Sequence, residues 1–163
     1  MDGVRWLDER EQRAWRALVS MQNRLHAQLG RELAATSDLS NQDYAVLVEL
    51  TDQPDGRLRL FELARDLGWE RSRVSHHTSR MATRGLITKE TCDEDRRGAV
   101  VVVSPKGRAA IEAAAPDHVA SVRRFVVDLL TPRQLDAIGA AARIVLAALD
   151  AEEAESPAPA GGV

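Results

Sequence analysis

Glu70-Arg71-Ser72-Arg73-Val74-Ser75-His76-His77-Thr78-Ser79-Arg80-Met81-Ala82-Thr83-Arg84-Gly85-Leu86-Ile87 is followed closely by Asp95-Arg96-Arg97-Gly98 and by Val100 to Val103. Val74, Thr78 and Met81 recur at steps of three and four, which puts them on one face of a helix over 70–84 closed by Gly85. Ser72, Arg73, Ser75, His76, Ser79 and Arg80 are left on the outer side. Beyond the helix, Leu86 to Thr91 and Ala99 to Ser104 are β-prone runs flanking the charged segment Cys92 to Gly98, the pattern of a two-stranded hairpin. A helix crowded with Ser, Arg and His offers many donors to base edges, and an Arg-tipped loop suits a narrow, electronegative groove. A polar helix feeding a basic-tipped hairpin therefore points to DNA.

Upstream, residues 8–34 contain no proline, and Trp15, Leu18, Met21, Leu25 and Leu29 recur at helical spacing, predicting one long amphipathic helix. Ser40 with Asp43 three residues later is a capping pattern, and Tyr44, Leu47 and Leu50 mark a short helix that ends near Gln53-Pro54-Asp55-Gly56. Leu63, Ala64 and Leu67 predict two further helical turns, ended by Gly68. Neither Leu60 nor Phe61 can cap that helix, so packing or a preceding strand at Leu58-Arg59 must set its start.

Downstream, Ser104 caps a helix with Pro105 in its first turn, expected to reach Leu130 with a kink at Pro116. Val119, Val122, Val126 and Leu129 form its stripe. Thr131-Pro132-Arg133-Gln134 announces a last helix, along which Leu135, Ile138, Ala142, Val145 and Leu149 keep a heptad-like spacing to Asp150. From Ala151 to Val163 the chain is acidic and rich in Pro, Ala and Gly, and is expected to be disordered.

The 163 residues fit one ordinary domain, or one domain plus an extension, and 44% hydrophobic content suffices for a core. The lone Cys92 rules out an internal disulfide, no apolar run approaches the length of a membrane span, and the charged start lacks a secretory pattern. A reducing, cytoplasmic setting is expected. The formal charge of −3 conceals an asymmetry. Arg57 to Arg108 holds 12 Lys/Arg against 7 Asp/Glu, a net of +5, while the rest holds 10 against 18, a net of −8. A basic middle between acidic ends suits a module that presents one face to a polyanion.

The whole pattern, mainly α with a small β-hairpin wing, resembles the MarR family of winged helix-turn-helix regulators, from about Trp6 to Leu149. The resemblance is carried by Glu62-Leu63-Ala64-Arg65-Asp66-Leu67-Gly68, by Ser72-Arg73-Val74-Ser75-His76 through Arg84-Gly85-Leu86-Ile87, and by Asp95-Arg96-Arg97 with the Val-rich strand and Ser104-Pro105-Lys106-Gly107-Arg108. It implies an N-terminal dimerisation helix over 1–36, a DNA-binding winged helix-turn-helix over 37–104, C-terminal dimerisation helices over 105–150 and a tail over 151–163. The implied molecule is a homodimer whose two recognition helices, about 34 Å apart, enter successive major grooves of a palindrome. A small molecule bound where the dimer helices meet the DNA-reading lobe would alter that spacing, which makes a ligand-released repressor the expected function.

Carried over by position, the resemblance assigns Ser72, Arg73, Ser75 and His76 to base edges or flanking phosphates, with Arg73 forked on a guanine. Arg80 and Arg84 reach phosphates or hold the fold together. Arg97 is the wing-tip arginine of the minor groove, Asp95 orients it or a nearby arginine, and Arg96 meets a phosphate. Aliphatic residues are frequent in the family where His77 and Thr78 stand, so looser or partly polar packing is expected under the helix.

Other readings compete at several positions. Adjacent His76 and His77 point about 100° apart and chelate one metal poorly. Cys92 has cations nearby that would favour a thiolate, but Asp93, Glu94 and Asp95 oppose them, and redox-sensing members of the family carry their cysteine near the first helix. His26 and His118 are either ligand contacts or packed residues, and Trp6, Trp15 and Trp69 either line a pocket or pack. No nucleophile with a base, paired acids or phosphate-cradling glycine loop is visible, so neither an enzyme nor a cofactor is expected. The competing non-enzymatic function is a protein-docking module whose acidic flanks are the working surface. Alanine at Arg73 or Arg97 discriminates, because docking would survive it.

Overall fold

Asp8 starts the first helix. Its carboxylate accepts the Glu11 amide and the Glu11 carboxylate accepts the Asp8 amide, both at 2.8 Å, and this reciprocal cap opens α1 (Glu9–Thr36). The computed structural model describes residues 3–91 and 99–155. Ser40 and Asp43 form a second capping box at α2 (Asn41–Thr51), as their spacing predicts. After β1 (Arg57–Arg59) come α3 (Leu60–Asp66), α4 (Arg71–Thr83), β2 (Ile87–Thr91), β3 (Ala99–Val103) and α5 (Pro105–Phe125). One turn of 3-10 helix at Val127–Leu129 leads to α6 (Pro132–Glu155).

The sheet corrects the expected two-stranded hairpin. It has three antiparallel strands in the order β1-β3-β2, with Leu58 and Lys89 both opposite Val101. A strand of three residues is too short to declare a period of two in the sequence. It does explain how α3 begins without a capping side chain: the strand delivers Arg59, whose amide donates to the Glu62 carboxylate at 3.0 Å.

Two further boundaries differ from expectation. The helix predicted to reach Leu130 ends at Phe125, where Arg123 pairs with Asp128 at 2.6 Å and the Leu129 amide donates to the Val126 carbonyl at 3.2 Å, closing a tighter turn. The last helix continues through Ala151 to Glu155, into the stretch expected to be disordered, because Ala and Glu are strong helix formers. Residues 156–163 lie outside the described residues.

The chain forms two compact units, one up to Ser121 and one from Val122. The first contains the hydrophobic core: Leu47 and Leu50 of α2, Leu63 of α3, Val74 and Met81 of α4 and Val101 of β3 are sealed from solvent. Of α1, only Leu33 is buried, and Trp15, Leu18 and Met21 are exposed. In the second unit Ile138, Val145 and Leu149 are exposed along α6. The stripes of α1 and α6 are thus formed as predicted but are not core, whereas the stripe expected from Val119 to Leu129 is cut short, Val126 and Leu129 lying beyond the end of α5. Among the described residues no helix is long and apolar enough to cross a membrane.

Candidate nucleic-acid interface

Three buried side chains fix the rotation of α4 about its axis. Val74, Thr78 and Met81 face the core, and the Thr78 hydroxyl donates back to the Val74 carbonyl at 2.8 Å, so its burial leaves no unmet donor. Gly85, at φ +77°, then turns the chain into β2 in the left-handed region that favours glycine. With the inner face fixed, Ser72, Arg73, His76, Ser79 and Arg80 are exposed and Ser75 is half-buried. The Lys89 ammonium reaches from β2 to the Ser79 hydroxyl at 3.1 Å and the Ser75 carbonyl at 3.4 Å, tying the sheet to this helix.

His77 is the departure from an all-apolar inner face, and it is buried with partners on two sides. Arg80 Nη2 lies 3.1 Å from His77 Nδ1. Since a guanidinium only donates, Nδ1 accepts and the ring proton sits on Nε2, 3.1 Å from the Asp43 carboxylate. The other Asp43 oxygen accepts from Arg84 Nη1 at 2.7 Å and from the Ser40 amide at 3.0 Å. Arg84 Nη2 donates to the Asp38 carbonyl at 2.6 Å. The start of α2 is therefore bolted to the middle and end of α4 through one buried carboxylate. The packing under α4 is partly polar, as expected: Asp43 is hydrogen-bonded to Arg84 and Ser40, while His77 Nε2 lies 3.1 Å from Asp43 without the alignment of a hydrogen bond.

The electrostatics follow from this arrangement. Burial on its own raises the Asp43 carboxyl, but the hydrogen bonds from Arg84 and Ser40 outweigh it and hold the group below its ordinary value. Burial depresses His77, Asp43 opposes that shift, and Arg80 and Arg73 reinforce it, leaving the imidazole below its usual range and neutral near pH 7.

Between the start of α2 and the outer side of α4 lies a groove of about 900 Å³, with Ser40 and Gln42 on one side and Arg73, His76, Arg80 and Arg84 on the other. Asp38 and Asp43 also line it, Asp43 paired with Arg84, which leaves Arg73 and Arg80 on the α4 wall to favour a polyanion. Arg84 serves the fold through Asp43 and Asp38, and Arg80 both bonds His77 and remains exposed. Arg73 lies over the Trp69 ring at 4.4 Å from its centroid. Asp95, Arg96, Arg97 and Cys92 lie outside the described residues.

The structure leaves His26 and His118 in unlike surroundings. His26 is exposed, and its backbone carbonyl accepts from Asn41 Nδ2 at 2.8 Å. His118 is half-buried against Tyr44, with ring centroids 4.3 Å apart, and burial lowers its pKa. Trp6 and Trp15 are exposed, whereas Trp69 is partly buried with its ring edge-on to His77 at 5.6 Å. Among the described residues no cluster of His, Cys, Asp and Glu could hold a metal ion.

A family model described as MarR family matches residues 37–98, which include α2, β1, α3, α4 and β2. The structure is also similar to AbsC, a MarR family transcriptional regulator from Streptomyces coelicolor, at 36% identity and a TM-score of 0.83, over 91% of this chain and 99% of that one. The chain belongs to the MarR family. A second MarR family transcriptional regulator from Streptomyces coelicolor, Sco3205, was solved in complex with DNA and is 34% identical, with a TM-score of 0.82 over 98% of this chain and 97% of that one. The fold of this MarR family regulator is shared more distantly, at 20% identity and a TM-score of 0.72, with the organohalide-sensing RdhR-CbdbA1625 regulator in its 2,4-dichlorophenol-bound form, over 89% of this chain and 85% of that one. No protein of curated function matches the chain. MarR family transcriptional regulators are not enzymes.

Sequence reasoning read Asp43 as a helix cap and missed its bonds to α4. It also missed Lys89 as a tie between β2 and α4, and the Trp69 ring over which Arg73 lies. For Trp69 a signal existed: Trp69, Arg73 and His77 are spaced by four, one helical face.

Proposed function

We propose that this MarR family regulator reads a palindromic site in double-stranded DNA through α4 and the loop between β2 and β3, as a cytoplasmic homodimer, and represses until a small molecule releases it. The observation that carries the reading is the outer face of α4, where Ser72, Arg73, His76 and Arg80 stand exposed beside an arginine-lined groove. In this reading Arg73 forks onto a guanine, Ser72, Ser75 and His76 meet base edges or adjacent phosphates, and Arg80 meets a phosphate. Arg97 enters the minor groove, with Asp95 orienting it and Arg96 on a phosphate. The Sco3205 complex with DNA supports the partner.

Dimerisation through residues 1–36 and 105–150 is supported by the apolar side chains exposed on α1 and α6, among them Trp15, Leu18, Ile138 and Leu149. Release by a small molecule is supported by a hollow of about 520 Å³ lined by Ser37, Leu39, Leu86, Lys106, Ala110 and Ala114. His26 and His118 are the further ligand contacts in this reading.

The test is a fluorescence anisotropy titration of the protein against the DNA upstream of its own gene and against a shuffled duplex, at physiological salt. One dimer binding the native duplex about a thousandfold more tightly supports groove reading. Equal weak binding to both calls for selection from random duplexes. Absence of binding to any duplex by a folded dimer rejects the reading in favour of protein docking. Alanine at Arg73 or at Arg97 is expected to cost about 1 to 3 kcal/mol of specific binding.

A further inference from the structure

Trp69 has no part in the proposed reading of DNA. It sits in the turn between α3 and α4, four residues before Arg73 and eight before His77. Its backbone amide donates to the Ala64 carbonyl at 2.9 Å, and its ring packs against the core with the His77 ring perpendicular to it, centroids 5.6 Å apart. His77 is held in turn by Arg80 and stands beside the buried Asp43. The indole is thus a braced surface. On it lies the guanidinium of Arg73, 4.4 Å from the ring centroid.

An arginine has several rotatable bonds, and docking its fork onto a base edge freezes them. An exposed arginine that is free in solution must meet that entropy cost when it binds. One already stacked on an immobile aromatic face has met part of it in the free protein, and the planar cation keeps its edge donors available while its face is occupied. A guanidinium seated over the ring, with its carbon 4.4 Å from the centroid, is restricted in where its fork can point.

We propose that Trp69 is a positioning residue for Arg73, holding its guanidinium for the base it reads and so setting base preference at that position. This rests on the reading of α4 as the groove-reading helix. Trp69 itself touches no base in this scheme.

The experiment is a double-mutant cycle of Trp69→Leu, Arg73→Ala and the pair, with Trp69→Phe as the conservative variant. Affinity for the specific duplex and base preference by selection are measured at one salt concentration, after thermal melts confirm folding. Trp69→Leu is expected to weaken specific binding about two- to fivefold and to relax preference at one base position. Trp69→Phe should retain most of both, and Trp69→Leu should have no further effect in the Arg73→Ala background. Equal losses with and without Arg73 would overturn the proposal, leaving Trp69 as packing alone. If Arg73→Ala leaves specific binding intact, the assignment of Arg73 fails and this proposal fails with it, whereas an additive cycle leaves that assignment standing.

Should Trp69→Leu fail to fold, fluorescence provides the same decision. With Trp6→Phe and Trp15→Phe in place, Trp69 is the sole tryptophan, and excitation at the red edge of the absorption band, beyond that of Tyr44, isolates its emission. Adding Arg73→Ala should raise its quenching by acrylamide, and unchanged quenching refutes the stacking in solution.

Discussion

Replacing Asp43 by Asn changes almost no volume, yet it should destabilise the folded lobe by about 2 kcal/mol. Both carboxylate oxygens face donors: one lies 3.1 Å from His77 Nε2, the other accepts from Arg84 Nη1 at 2.7 Å and from the Ser40 amide at 3.0 Å. Asn has one acceptor oxygen and one NH2, so it must present a donor to one side. Turned towards Arg84 and Ser40, the NH2 would oppose two donors. Turned towards His77, it opposes one, and the imidazole can respond by moving its proton to Nδ1. That orientation should therefore win.

The tautomer shift then puts an N–H against Arg80, whose bond to Nδ1 is lost, about 0.5 to 1 kcal/mol since Arg80 is exposed and water replaces His77. The Arg84 and Ser40 bonds lose their charge assistance, about 1 kcal/mol in sum after discounting for the 43% exposure of the Arg84 side chain. Urea denaturation of both proteins at pH 7.5 and equal concentration gives the difference. The sign with pH is also fixed. A carboxyl held below its ordinary 3.8 contributes stability above that value and loses it as pH falls through the folded value, so the gap between wild type and variant should narrow in acid. A variant within 0.5 kcal/mol of wild type at pH 7.5 would refute the two-sided donor arrangement.

Two other perturbations are decided by the geometry. Gly107→Ala should cost about 3 kcal/mol or more, or abolish folding, because a Cβ there would stand 2.0 Å from the carbonyl oxygen and 3.0 Å from the carbonyl carbon of Leu86, backbone atoms that cannot swing aside; soluble yield and thermal melts check it. Histidine titration should weaken the fold in mild acid: His77 and His118 are both below their ordinary 6.5 when folded, so the unfolded chain takes up protons first and stability falls as pH drops below about 6.5, and a urea midpoint that is flat from pH 7.5 to 5.5 would contradict it.

The outer face of α4 was legible because a helix writes its two sides into the sequence at a period that three residues, Val74, Thr78 and Met81, are enough to set. Gly85 supplied the end, and Ser40 with Asp43 supplied the start of α2 by a rule that acts over three residues. What could not be read were relations across the chain. Asp43 meets Arg84 across a separation of 41 residues and Arg57 meets Glu90 across 33, and nothing local distinguishes those arginines from their neighbours. A strand at Leu58-Arg59 was one of two readings of the start of α3, but its place in the sheet escaped for a related reason: it is three residues long, and its pairing with β3 is a property of where β3 lies.

Trp69 is the instructive intermediate. Its four-residue spacing to Arg73 and to His77 was in the sequence, but Gly68 marks a helix end and Glu70 the next beginning, so Trp69 reads as a turn residue outside both helices. Only the fold reveals that the turn carries the α4 spacing one step further back and places an aromatic ring under an arginine. The same logic applies to His77. Its position on the inner face follows from the period, but whether a histidine there is tolerated depends on a carboxylate from α2 arriving at 3.1 Å. The residues that present chemistry outward were therefore readable from local spacing, while those that hold them in position required the tertiary structure. Substitutions at Asp43, Trp69 and His77 should consequently perturb binding through the geometry of α4, and those at Ser72, Arg73 and His76 through contacts with the DNA itself.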